Sequence, residues 1–153
     1  MEIKYLKQPP EIEADIKLKK AFNSFHKLLV EIRKKDVPDD IINIINQVID
    51  EYNERELSPK ERLKTMKKQQ GSVLKLLEKE LKLVPKNYYL TIWLSVGLAA
   101  FGIPLGTIFG FALGRMAYLG IGLPIGMVLG MALGNAMDQK ALKEGRQLAV
   151  EMY

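Results

Sequence analysis

Hydrophobic positions divide the chain near residue 87 into two regions with different spacing. Before that point, apolar residues recur at steps of three and four, which places them on one face of a helix. Three such stretches predict amphipathic helices over residues 11–35, 39–55 and 59–84. Each helix needs a partner for its apolar face, so the three together predict a small helical bundle.

Local signals mark the ends of these elements. Pro9 and Pro10 predict that residues 1–10 form an extended lead, because proline disfavours a helix at the residue before it. Ser58, Pro59 and Glu61 supply a helix cap, a first-turn proline and a capping-box glutamate, so the third helix is expected to start there.

After residue 87 the chain is apolar without interruption. Residues 88–113 form an uncharged stretch of 26 and residues 116–137 one of 22. As helices these stretches would be about 39 and 33 Å long, against about 30 Å of bilayer hydrocarbon. The connection allows only a tight turn, so an antiparallel transmembrane hairpin is predicted. The fold class is therefore all-α, with a cytoplasmic helical domain (residues 1–86), the hairpin (87–137) and a cytoplasmic tail (138–153).

Charge follows the same division. Of 41 charged residues, 34 lie in residues 1–87, and Arg115 is the one charge in residues 88–137. Lysine and arginine flank the outer ends of both spans, which by the positive-inside rule predicts that both termini are cytoplasmic. Asp138 and Lys140 are expected to stop the second helix. The predicted anchors at the membrane interface are Lys86, Tyr88, Tyr89, Trp93, Arg115, Tyr118 and Lys140.

The two spans share a repeat of thirteen residues, identical at seven positions, with glycine at every fourth residue. Such spacing lines one face of a helix with bare backbone and permits close helix packing. The predicted packing and oligomerisation residues are Gly102, Gly106, Gly110, Gly114, Gly122, Gly126, Gly130 and Gly134. The glycines either close on each other within one hairpin, with Gly114 level with Gly122 and Gly102 level with Gly134, or receive helices from other copies.

Two prolines occupy equivalent positions of the repeat. Pro104 lies inside the first span and is expected to free the carbonyl of Ala100 and bend the helix. Pro124 is nearer the start of its span and is expected to begin the regular helix. Helix shaping is the favoured role for both, and a gating hinge is the alternative.

Other chemistry is sparse. The chain has no cysteine and one histidine, His26, so no metal site, no cofactor and no catalytic constellation is predicted, and we do not expect an enzyme. The net charge of +5 arises mainly from residues 1–87, where acidic residues are interspersed with the lysines. An anionic membrane surface is favoured as their partner over solubility alone, and nucleic acid is disfavoured.

The two glycine runs, with the tail from Gly134 through Asp138, Lys140, Gly145 and Arg146 to Leu148, resemble bacterial glycine-zipper membrane proteins. The resemblance covers about a third of the chain, and residues 1–86 do not share it. It implies a hairpin in the bacterial inner membrane and no particular activity.

Two functions are compatible with these features. The first is a self-associating membrane protein, a homo-oligomer whose cytoplasmic domain senses or recruits a protein partner and whose spans form a pore or permeabilising assembly. The second is a non-enzymatic scaffold or adaptor that holds a protein-binding helical domain at the lipid bilayer.

Overall fold

The computed structural model describes residues 1–114 and 119–151, with Leu119 described in its backbone alone. The fold is mostly helical, and the chain divides into two compact units. Unit 1 comprises Met1–Pro85 together with Leu148–Glu151, and unit 2 comprises Lys86–Gln147. The last residues of the chain were predicted to be a separate tail, but Leu148–Glu151 belongs to unit 1.

Unit 1 contains three helices, α1 (Ile16–Arg33), α2 (Asp39–Glu54) and α3 (Pro59–Leu81). Helix α1 begins five residues later than predicted, because Asp15 caps it by accepting hydrogen bonds from the amides of Lys17 and Leu18 at 2.8 and 3.1 Å. At the start of α3, Glu61 accepts hydrogen bonds from the amide and hydroxyl of Ser58, so the predicted capping box is present.

Helix α3 ends at Leu81 instead of residue 84. Lys82 adopts a left-handed conformation with φ 56°, and Pro85 cannot continue a helix. The chain then forms strand β1 (Val84–Lys86), which pairs with strand β2 (Gln147–Glu151) in a two-stranded sheet. The all-α prediction therefore holds for the dominant architecture and misses this sheet, whose strands are too short to show a period in the sequence.

The core of unit 1 is formed by the apolar faces of the three helices. Its largest fully buried side chains include Phe25 of α1, Ile45 and Tyr52 of α2, and Met66 of α3. Leu148 and Val150 of β2 join the same cluster, as do Ile3 and Leu6 from the extended lead. The lead is therefore a packed part of unit 1.

Unit 2 consists of two long helical segments. The first runs through α4 (Tyr88–Gly97), a π-helical turn (Leu98–Gly102) and α5 (Ile103–Ala112), and the second is α6 (Leu119–Lys143). Helix α6 passes the predicted end at residue 137 and continues for six more residues. The predicted turn around residues 114–120 falls largely on residues 115–118, outside the described part of the chain.

Candidate functional site: a glycine seam between two apolar helices

The two helical segments of unit 2 are long and apolar enough to cross a membrane. They extend over Tyr88–Ala112 and Gly120–Lys143, which at 1.5 Å per residue is about 37 and 36 Å. Within unit 2, α6 packs against α4, the π turn and α5. Glycines from both segments meet along this contact, and we call the contact the glycine seam.

The backbones in the seam touch directly. A Cβ atom added to Gly126 would lie 2.5 Å from the amide nitrogen of Gly102 and 2.5 Å from the carbonyl oxygen of Gly97. One added to Gly122 would collide with the backbones of Gly102 and Gly106. Because the obstructing atoms are backbone, no side-chain rotation can make room for a methyl group.

Towards the other end of the seam, glycines of α6 face the backbone of larger residues. A Cβ atom on Gly130 would collide with the carbonyl of Trp93, and one on Gly134 would lie 2.5 Å from the Cα of Leu90. The bare face of α6 therefore allows the helix to approach a segment of α4 that carries bulky side chains.

The register of the seam differs from the predicted one. Gly102 lies level with Gly122 and Gly126 instead of Gly134. Gly114 does not take part, because it adopts φ 65° in a turn after α5 and has open space where a side chain would project. Gly110 is buried.

Gly97 is a seam residue that the sequence repeat did not identify. It precedes Gly102 by five residues, and in an α-helix this spacing would rotate it about 140° away. The π turn between them has hydrogen bonds from residue i to i+5, and Ile103 donates its amide hydrogen to the carbonyl of Leu98. This extra residue brings Gly97 onto the same face as Gly102, and both contact Gly126.

Pro104 explains the position of the π turn. It lacks an amide hydrogen for the carbonyl of Ala100, as the sequence predicts, and it lies in the first turn of α5 immediately after the π turn. Pro124 was expected to begin its helix, but it lies inside α6, five residues after the start. Its position there removes the helical hydrogen bond to the carbonyl of Gly120.

A buried carboxylate lies at one end of the seam. Asp138 of α6 is 7% exposed and accepts hydrogen bonds from the amides of Tyr89 and Leu90, at 3.1 and 2.9 Å. These amides are among the donors that the start of helix α4 leaves unpaired, so Asp138 acts as a cap supplied by another helix. It was predicted to stop α6, but the helix continues to Lys143.

Five of the predicted interface anchors, Lys86, Tyr88, Tyr89, Trp93 and Lys140, lie in the described residues. The rings of Tyr88 and Tyr89 pack edge to face at 5.2 Å, and Trp93 is half-buried one turn further on. Lys86 is exposed in β1, and exposed Lys140 lies 3.9 Å from Glu144. Arg115 and Tyr118 fall outside the described residues.

The outer surface of unit 2 is aliphatic and aromatic. Large apolar side chains project from both helical segments, including Ile108 at 60%, Phe111 at 76% and Val128 at 60% exposure. The hydroxyls of Thr91, Ser95 and Thr107 donate to carbonyls of their own helical segment, at 2.9, 3.2 and 2.7 Å. These hydroxyls are thus satisfied without water or a partner.

Within residues 1–114 and 119–151, no group of three acidic, histidine or cysteine side chains is arranged to hold a metal ion. His26 stacks on Phe22 in α1, with ring centroids 6.1 Å apart. The contacts of the seam are those of closely packed helix backbones. In comparisons with known proteins, no protein family, no curated protein and no solved structure matches the chain.

Proposed function

We propose that the protein is a membrane scaffold, whose hairpin crosses the bilayer twice and holds the helical domain of unit 1 at the cytoplasmic face to recruit a protein partner. The observation that carries this proposal is the use of the glycines. They pack against each other within one chain, while the bulky apolar side chains project outwards.

The distribution of burial supports a lipid environment for unit 2. A core helix of a soluble protein is mostly buried, whereas the most apolar stretches of these two helices are 17% and 22% buried. Helices satisfy their own backbone hydrogen bonds, which a bilayer requires. Close glycine packing also favours association of the two helices in lipid. Aliphatic side chains alone would not drive this association, because lipid tails are as apolar as the surface that the helices would bury.

Basic residues support an orientation with both termini in the cytoplasm. Helix α3 carries six lysines within an arc of about 120°, at 100° per residue, on the side opposite its buried residues. We call this set, together with Lys82 directly after the helix, the lysine stripe, and it comprises Lys60, Lys64, Lys67, Lys68, Lys75, Lys79 and Lys82. Its last members lie a few residues before Tyr88, where anionic headgroups would attract them by about 1 kcal/mol each.

The scaffold is favoured over a pore for two reasons. The glycine faces that would join neighbouring copies are already occupied within the chain. The three hydroxyls of the spans also bond to their own helical segments, so they do not offer polar groups to a channel. Self-association and pore formation remain predictions from the sequence.

Membrane insertion and the closed seam are tested separately. The full chain is reconstituted into neutral vesicles, floated, and washed at alkaline pH, and it should stay with the lipid. The mass of the detergent-solubilised particle is then compared between the wild type and Gly126→Leu. A monomeric mass for both supports a hairpin closed within one chain. A wild-type oligomer that Gly126→Leu dissociates would refute the closed seam, and release from the vesicles would refute insertion.

A further inference from the structure

The first nine residues, which we call the strap, lie in an extended conformation along α1 and α2. Ile3 and Leu6 are 5% and 7% exposed, and Pro9 is also buried, whereas the residues between them are exposed. Burial at every third residue is typical of a polyproline II segment, which has three residues per turn. The strap forms no strand, so its backbone must find partners elsewhere.

Side chains of the two helices supply those partners. Asn46 accepts a hydrogen bond from the amide of Lys4 at 2.8 Å and donates one to the carbonyl of Glu2 at 3.0 Å. Asn53 repeats the arrangement one step further along, with the amide of Lys7 at 2.8 Å and the carbonyl of Tyr5 at 3.0 Å. Each asparagine thus holds one donor and one acceptor of the strap backbone.

The spacing of the two asparagines fits an extended chain. Seven residues of helix advance about 10.5 Å. Three residues of a polyproline II segment advance about 9.3 Å, so the second asparagine meets the strap three residues after the first. Because both asparagines bind the backbone, these four hydrogen bonds do not depend on the side chains of the strap, which contribute through the contacts of Ile3 and Leu6.

Arg33 and Asp50 complete the site. The guanidinium of Arg33 donates to the carbonyls of Ile3 and Lys4, each at 3.0 Å, and stacks over the ring of Tyr5 at 4.1 Å. Asp50 pairs with the ammonium of Lys4 at 2.6 Å. We call Arg33, Asn46, Asp50 and Asn53, together with the apolar surface under Ile3 and Leu6, the strap groove.

We propose that the strap groove is a binding site for an extended segment of a partner protein, and that the strap occupies it in the absence of this partner. The partner segment carries apolar residues at every third position and a basic residue after the first of them. The first strap residues line a cavity of about 450 Å³ together with Ile32, Arg33, Val37 and Ile42, among others.

This inference names the partner chemistry of the recruiting domain, and it therefore rests on the proposed scaffold function. The strap is a strong competitor because it belongs to the same chain as the groove, which raises its effective concentration there. A partner segment therefore binds more weakly to the intact chain than to one whose strap is loosened.

The probe is a fluorescent peptide with the sequence of residues 1–10, added to the full chain in detergent micelles. We expect it to bind a variant with Ile3→Ala and Leu6→Ala at least about tenfold more tightly than it binds the wild type. Adding Asn46→Ala and Asn53→Ala to that variant should abolish binding. Asn43→Ala, an exposed asparagine of the same helix, is the matched control and should leave binding unchanged.

Three results would overturn the inference. The first is a helical, strap-loosened variant that does not bind the peptide. The second is equal binding of a scrambled peptide in which the apolar residues are adjacent. The third is an interchain disulfide between a Lys4→Cys chain and an Asp50→Cys chain, which would identify a second copy as the occupant. The chain has no natural cysteine to confuse that reading.

If the loosened variant does not fold, hydrogen exchange on the wild type gives the answer. Excess peptide should displace the strap and accelerate exchange of the Lys4 and Lys7 amides, and no acceleration would overturn the inference. Peptide binding in micelles requires no bilayer, and vesicle flotation requires no peptide. Failure of the groove is therefore distinguishable from failure of the scaffold proposal.

Discussion

Alanine substitutions along α6 test whether the glycine seam holds the hairpin together. At Gly126, the new Cβ would lie 2.5 Å from two backbone atoms of the opposite segment, whereas an ordinary contact begins near 3.4 Å. The helices must therefore move apart by about 0.9 Å at this level, the difference between those two distances. At Gly120, in the same helix, nothing lies within 4 Å of the new atom.

The expected magnitude follows from two opposing effects. Forcing one extra carbon into a close-packed site typically costs about 1–3 kcal/mol. Replacing glycine by alanine favours the helix by up to about 1 kcal/mol, and this gain applies to both positions. We therefore expect Gly126→Ala to be less stable than Gly120→Ala by about 1–3 kcal/mol. Gly102→Ala should fall between them, because its Cβ would meet its nearest neighbours at 3.4 Å.

The assay is reversible unfolding of the detergent-solubilised chain, followed by energy transfer between dyes on cysteines introduced at the outer ends of the two spans. A dye pair on the hairpin reports its separation independently of unit 1. Equal stability of Gly126→Ala and Gly120→Ala would refute the reasoning, because it would mean that the backbones do not touch at Gly126.

Four further measurements test the local arguments. Deleting Ala99 should remove the extra residue of the π turn, rotate Gly97 out of the seam and destabilise the hairpin in the same unfolding assay; an unchanged stability would contradict the role given to the turn. Asp138→Ala should cost about 1–2 kcal/mol and Asp138→Asn less, because asparagine can still cap one amide; equal losses would argue against capping. Hydrogen bonds from Ser58 lower the pKa of Glu61 from its usual 4.5, so its contribution to the folded state is complete above that pH and is lost as the pH falls through the lowered value; thermal melts of Glu61→Gln should therefore lose less stability on acidification than those of the wild type. A fluorescent label on Gly71→Cys, within the lysine stripe, should be quenched by spin-labelled headgroups in anionic but not in neutral vesicles. Charge reversal at Lys64, Lys68 and Lys75 should abolish this quenching. The control, the same reversal at Lys17, Lys20 and Lys27, should not.

The helices were predictable because their signals are long and redundant. Apolar positions recur over several turns in α1, α2 and α3, and the uncharged stretches leave few alternatives for unit 2. Boundaries were less predictable, since single residues decide them. Asp15 delays α1, and the left-handed Lys82 shortens α3.

The sequence could not predict which glycines face each other in the seam, because this register depends on one inserted residue. A strict count of fours predicts Gly114 as a member and omits Gly97. The structure does the reverse, through the π turn that precedes Pro104. The sequence did contain one signal, because Pro104 lies inside an apolar helix seven residues after Gly97. This signal located the irregularity in the helix but did not show that it is a π turn.

The strap groove was hidden for a different reason. Its members are polar residues on the rim of α2, where Asn46, Asp50 and Asn53 follow steps of four and three. Polar residues at such steps are common on a solvated helix face. They indicate a groove only when they are compared with the three-residue period of Ile3, Leu6 and Pro9. The seven-residue spacing of Asn46 and Asn53 and the three-residue period of the strap are each weak signals. Together they indicate a groove, because both spacings cover nearly the same distance.

The glycine seam and the strap groove differ in what each one recognises. In the seam, bare backbone meets backbone, so association is set by distance and any added atom weakens it. In the groove, side chains meet backbone, so the proposed exchange of the strap for another extended segment would require no change in the helices. On the proposed scaffold function, the seam would hold the hairpin together permanently, whereas the groove would exchange its occupant.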